Sequence, residues 1–217
     1  MSADTTLPSE SHPLHNHYRF WRTVNIESST ENYESQLDDL GSCETVEQFW
    51  NIYCALPTIG SADTDNYYFF KDGIMPLWED PGNKQGGRIT LVLNGVDLTP
   101  YLWETLLMAT IGEQFNVGRE ICGVSVTYKA KKNCSVLCVW NKSSSASREI
   151  DQIEAVLRRI WSIPQKLRFK YKENYVAMHS FVKTEEKPTH SEPKSDNRFA
   201  EFDMDSIVCW ISVFVIV

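Results

Sequence analysis

None of the six cysteines, Cys43, Cys54, Cys122, Cys134, Cys138 and Cys209, forms a CxxC pair with another. No zinc or thioredoxin-like spacing arises, and the opening residues carry no signal-peptide pattern. The expectation is therefore buried free thiols in a reducing compartment, the cytoplasm. Basic residues are also scarce: 21 Lys and Arg face 29 Asp and Glu, a formal charge of −8. Proteins that grip long nucleic acids by counterion release present a dominant basic surface, so any nucleic-acid contact here must be small and local. GxSxG, HExxH and a GxxxxGK followed by Ser or Thr are all missing, as is any internal repeat. The longest apolar run, "SIVCWISVFVIV" at 206–217, falls far short of the roughly 20 residues of a membrane-spanning helix. It is open between a strand, a variant ending and a docking tail, and no membrane partner is expected.

Two features that invite an enzymatic or metal reading do not sustain one. Glu79 and Asp80 are adjacent, so an extended backbone would point them to opposite faces, a poor arrangement for paired acid and base work. His12, His15 and His17 in "HPLHNHY" resemble a metal pattern, but no further ligands converge with them. They are read as solvated or partner-contacting. We expect a protein that is not an enzyme, with no catalytic residues, no metal and no cofactor.

What the chain does have is aromatic surplus: 12% of residues, including seven Trp, more than a core of this size requires. Its 217 residues suit one domain with tails. Residues 1–11 and the stretch from 183 to 197 have the low hydrophobicity of disordered segments, so the domain is expected over 12–182, with 183–217 as a polar segment and apolar tail. Strand patterns occur at 17–26, 66–73, 88–95, 123–130, 135–141 and 166–171, the last with Leu167, Phe169 and Tyr171 on one side and Lys166, Arg168 and Lys170 on the other. Three helices are predicted. Thr45 and Gln48 form a capping box before Val46, Phe49, Trp50 and Tyr53; Thr99 caps and Pro100 opens "LTPYLWETLLMATIGEQF"; Ile150, Ile153, Leu157 and Ile160 line one face of "ASREIDQIEAVLRRIWSIP". Short strands interrupted by three helices, without strict alternation, predict an α+β fold with the helices layered on one face of a sheet.

The most informative stretch is "GIMPLWEDPGNKQGGRI" at 73–89. Its Pro, Gly and Asn content makes it a loop, yet Trp78 sits in it beside Glu79, outside any periodic apolar run. An aromatic face beside one carboxylate suits guanine, which stacks on the ring while its N1–H and N2–H donate to the acid. An N7-methylated guanine is cationic, and an aromatic face adds about 0.5–2 kcal/mol for such a base. Phosphates would then need a few cations, which Arg88, Lys129, Lys131 and Lys132 can supply.

These segments, with "HPLHNHYRFW", "TVEQFW", "KDGIMPLWED", "NKQGGR", "WETLLMATIGEQF", "GREICGVSV" and "VWNK", resemble the eukaryotic translation initiation factor 4E family in order over most of the chain. That family binds the 7-methylguanosine cap of messenger RNA. "NYESQL", "GEQFNVGREICG" and "VWNKSSS" look most like its 4E-homologous type 2 subclass. The resemblance implies a curved antiparallel sheet with three helices on the convex face and the cap on the concave side. It implies Trp78 and Tyr33 on the two faces of the base, Glu79 on its edge, Trp140 near the methyl group, and Arg88, Lys129, Lys131 and Lys132 along the phosphates. It also implies a second surface, His12, Pro13, Leu14, Val46, Glu47, Trp50, Trp103 and Glu104, for proteins carrying a Tyr-x4-Leu-hydrophobic motif. Periodicity alone would instead place Trp50 in the core. Tyr33 in place of Trp, and Lys129 in place of Arg, imply weaker cap binding. The implied protein is a monomeric cap-binding regulator of translation that represses or tunes initiation. An authentic initiation factor that recruits the scaffold, and an interaction module with a decayed pocket, stay open.

Overall fold

The computed structural model describes residues 11–23, 36–61, 64–163 and 167–175. Tyr33, Cys209, residues 1–10 of the expected N-terminal tail and all of 183–217 lie outside them. The chain order is β1 (Pro13–Thr23), β2 (Leu37–Thr45), α1 (Val46–Tyr53), β3 (Thr64–Lys71), β4 (Gly87–Asn94), α2 (Thr99–Ile111), β5 (Ile121–Lys129), β6 (Cys134–Asn141), α3 (Ser147–Ile160) and β7 (Lys170–Glu173). The seven strands among the described residues join one curved antiparallel sheet in the order β2-β1-β3-β5-β6-β4-β7.

Strand alternation divides the molecule into two layers. Tyr18 and Phe20 of β1, Tyr67 and Phe69 of β3, Val124 and Val126 of β5, Leu137 and Val139 of β6 and Ile89 and Leu91 of β4 form the main core with the helices. Their neighbours Tyr68, Phe70, Cys122, Cys138 and Trp140 form a second cluster on the other face, against Trp21, Ile74 and Trp78. The aromatic surplus thus fills two layers.

Each helix contributes what its sequence allows. At α1, Thr45 Oγ1 accepts from the Gln48 amide (3.2 Å), while Gln48 Oε1 accepts from the amide of Glu44, one residue earlier than in the usual box. Only Phe49 of its apolar stripe is buried. α2 is largely buried, and Thr99 is no cap: the N-cap is Leu98, and Thr99 Oγ1 donates to Ser135 Oγ (2.6 Å) inside the core. α3 buries Ile153, Val156 and Leu157, and the Trp161 indole after it donates to the Leu102 carbonyl (3.0 Å), tying α3 to α2.

Three strands differ from the sequence reading, and the first, β1, begins at Pro13, four residues before the expected 17. β2, "LDDLGSCET", was not anticipated because it alternates poorly; it is an edge strand held to β1 by pairing and by Arg19–Asp39 and Arg22–Asp38 ion pairs. β7 begins at Lys170, not 166, because Leu167 turns into the core and its carbonyl accepts from Arg158 Nη1 (2.9 Å). The thiols are also less uniform than expected: Cys43, Cys122 and Cys138 are buried, but Cys54 is exposed.

Phe69 is fully buried, stacked on Tyr18 at 4.7 Å and packed on Phe20 (4.4 Å) and Phe49 (5.6 Å). Truncation leaves a cavity that the sheet cannot collapse around, so Phe69→Ala should lower the unfolding free energy by about 3–5 kcal/mol in urea denaturation. A loss below about 1 kcal/mol would contradict this packing.

Candidate functional site

The loop from 72 to 86, between β3 and β4, is built by side chains that serve the backbone. The Asp80 carboxylate accepts from the Met75 amide (2.9 Å) and the Gly82 amide (2.7 Å). Asn83, fully buried, donates from Nδ2 to the Met75 and Leu77 carbonyls (2.7 and 2.8 Å). Asn174, just after β7, donates to the Asn83 carbonyl (2.8 Å). Gly86 allows the loop to close on β6, since a Cβ there would lie 1.7 Å from the Asn141 carbonyl oxygen. Asp80 is thus structural, while its neighbour Glu79 remains exposed at the surface of the same loop.

This loop carries Trp78 over the sheet face opposite the helices. Beneath it a cavity of about 620 Å³ is lined by Trp78, Glu79, Arg88, Lys129 and Trp140, with Tyr68, Pro76, Leu77, Ser125, Thr127, Val136 and Cys138 completing the walls. Trp140 is 3% exposed; its indole nitrogen donates to Ser125 Oγ (3.1 Å) and its ring meets Phe70 edge-on at 5.4 Å. The Arg88 guanidinium lies 4.8 Å from the centroid of Trp78 and 4.8 Å from that of Trp140, within cation–π range of both. Arg88, expected along the phosphates, therefore bridges the loop indole and the strand indole. The Cys138 thiol is raised by burial and stays neutral, so charge in the cavity comes from Glu79, Arg88 and Lys129.

The remaining expected residues fall in three places. Lys129 ends β5 at the cavity, whereas Lys131 and Lys132 sit in the 3₁₀ turn Ala130–Lys132, exposed and outside the cavity lining. Tyr33 lies outside the described residues. The second group gathers on the helical side: the Val46 amide donates to the His12 carbonyl (2.9 Å), and His12 Nδ1 lies 2.7 Å from Glu47 Oε1. Pro13 is exposed and Leu14 half-buried beside them. Trp50 is 37% exposed, its ring edge-on to Tyr53, whose hydroxyl donates to Glu104 Oε2 (3.1 Å). Periodicity alone would have buried Trp50; the structure leaves it at the surface. Trp103, expected among the partner-binding residues, lies deeper than the others. It is 2% exposed, a core residue that also lines a cavity of about 340 Å³ with Tyr53, Tyr101 and Glu104.

Sequence reasoning missed Tyr68, Ser125, Thr127 and Val136. Alternation in "GVSVTYK" marks Ser125 and Thr127 as one polar face, but β3 is apolar on both faces and gives no such sign for Tyr68. Among the described residues no group of three His, Cys, Asp or Glu side chains could hold a metal ion.

Comparison with known proteins bears on this site. The family described as Eukaryotic initiation factor 4E matches residues 13–189. The chain is 33% identical over 175 residues to eukaryotic translation initiation factor 4E-4 of Caenorhabditis elegans, covering 79% of this chain and 81% of that protein. Among solved structures it is similar to C. elegans eIF4E-3 in complex with the 4E-binding protein Mextli and a cap analog (TM-score 0.71, 31% identity, 78% of this chain and 96% of that one). It is likewise similar to Ascaris suum eIF4E-3 with an m7G cap (TM-score 0.70, 31% identity, 75% and 91%).

If Asp80 holds the loop as described, Asp80→Ala should free the Met75 and Gly82 amides. Hydrogen bonds to a charged acceptor are worth about 1.5–3 kcal/mol, so exchange of both amides with deuterated solvent should quicken at least tenfold. Unchanged exchange would show that the loop is held by other contacts.

Proposed function

The chain belongs to the eukaryotic initiation factor 4E family, and on that premise we propose that it binds the 7-methylguanosine cap of messenger RNA and regulates translation. The observation that supports this best is the convergence of Trp78, Glu79, Arg88, Trp140 and Lys129 on one cavity. Trp78 offers an aromatic face to a cationic base, and Glu79, one residue on, accepts from the base N1–H and N2–H while meeting the positive charge. Arg88 takes one face of the Trp78 ring and leaves the other for the base, so the guanidinium orders the loop before ligand arrives. Trp140, fixed by Ser125, forms the wall toward the N7-methyl group. Tyr33 supplies the second stacking face, and Lys129, with Lys131 and Lys132 in the adjoining turn, meets the phosphates.

The opposite surface is read as the partner site. Trp50 is a rigid aromatic anchor at the surface, flanked by Val46, Glu47, Glu104 and the His12–Leu14 segment, and it suits the apolar positions of a Tyr-x4-Leu-hydrophobic helix. The relatives include one solved with a 4E-binding protein, which accords with this assignment. Within the family we read the chain as a cytoplasmic type 2 member that occupies the cap and represses or tunes initiation, because "NYESQL", "GEQFNVGREICG" and "VWNKSSS" resemble that subclass. It carries out no catalytic step; binding is the activity, exercised by a domain spanning about 12–182 as a monomer.

Trp78→Ala should lose retention on 7-methyl-GTP resin, with affinity down at least about tenfold. Trp50→Ala should be retained like the wild type but lose a Tyr-x4-Leu-hydrophobic peptide. Equal retention and equal peptide binding by both variants would sink the two-surface reading.

A further inference from the structure

β7 carries a basic alternation that the cavity does not use. Residues 166–172 read "KLRFKYK", with Lys or Arg at every second position of an otherwise acidic chain. Lys166 lies outside the described residues. The β4–β7 register sets Lys172 beside Arg88, Tyr171 beside Ile89 and Lys170 beside Thr90. Ile89 is 1% exposed in the core under the helices, and Tyr171 packs against that core. The pleat therefore turns Lys170 and Lys172 to the other face, the one that holds the cavity.

Three observations mark this strip as more than a solvated edge. Both lysines are exposed, and neither forms an ion pair with another described residue. Lys172 stands directly across the strand pair from Arg88, and like charges in that position cost stability rather than add to it. A sheet face lined by one sign of charge concentrates an attractive potential for anions. In the order β6-β4-β7, the strip is two strands, about 10 Å, from Trp140. Lys170 and Lys172 lie about 7 Å apart along the strand, close to the separation of successive phosphates on an extended single strand.

We propose that Lys170 and Lys172 form a phosphate track that carries the RNA backbone downstream of the cap. The inference rests on the cap-binding reading above. The cap phosphates lie toward Lys129, at the other end of the strands from Lys172, so the RNA beyond them turns back along the same sheet face to reach β7, its basic edge. An acidic peptide would have no such reason to start from the cavity. The track contributes affinity that does not depend on base identity, and it remains small, in keeping with the acidic chain.

The test uses the full chain and its Lys170→Gln/Lys172→Gln variant, titrated with 7-methyl-GTP, with a short capped oligoribonucleotide and with the same oligonucleotide uncapped, over a range of salt. Both proteins should bind 7-methyl-GTP equally. The variant should bind the capped oligonucleotide about tenfold more weakly at low salt, and its log K against log salt slope should be shallower by about 1.4, two contacts at about 0.7 each. Identical affinities and slopes for the capped oligonucleotide would overturn the track while leaving the pocket intact. Failure of the wild type to bind 7-methyl-GTP at all would instead remove the cap reading, and the track with it.

Discussion

β3 buries side chains on both of its faces, and the rest of the molecule is arranged around that constraint. Tyr67 and Phe69 face the helices, while Tyr68 and Phe70 face the other way. A strand so placed cannot tolerate water on either side, so the second face needs cover that the three helices do not provide. The 72–86 loop supplies it by laying Trp78 over Tyr68, Cys138 and Trp140. The cavity is the space this cover leaves between itself and the sheet. Site and fold are one solution to a single burial problem.

Within that loop, adjacent carboxylates have opposite tasks. Asp80 turns inward and satisfies two amides; Glu79 turns out toward the cavity. The split explains why a stretch so rich in turn residues can hold an indole in a defined position. Arg88 completes the arrangement from the sheet side, since its guanidinium meets both Trp78 and Trp140 at 4.8 Å. Such a contact is weakly hydrated and planar, suited to an aromatic pair in a way that a lysine ammonium would not be. Cations and aromatic faces are thus already matched in the cavity, the same pairing that a methylated base would exploit.

Much of this was legible in the residues. The apolar spacing of α1 and α3, the Thr45–Gln48 signal and the loop character of 73–89 led to the right elements, because each rests on local chemistry. What could not be read depended on partners distant in sequence. β2 has little alternation of its own and becomes a strand because β1 offers an edge and Arg19 and Arg22 offer charge. Trp50 falls on the same apolar stripe as Phe49 yet is left at the rim of a short helix, whereas Trp103, expected at the partner surface, is buried where α2 packs on the core. The charge of Arg88 marks it for phosphates, but its contact with two indoles depends on the register with Trp140 and on the loop that carries Trp78.

The central claim is that the cavity prefers a positively charged guanine. Tryptophan fluorescence titration with 7-methyl-GTP beside unmethylated GTP tests it directly, because Trp78 and Trp140 line the cavity and report its occupancy. The account predicts quenching by the methylated nucleotide at a concentration at least about tenfold lower than by GTP, the ratio expected from about 1.4 kcal/mol of added cation–π attraction. Equal midpoints for the two nucleotides would contradict it.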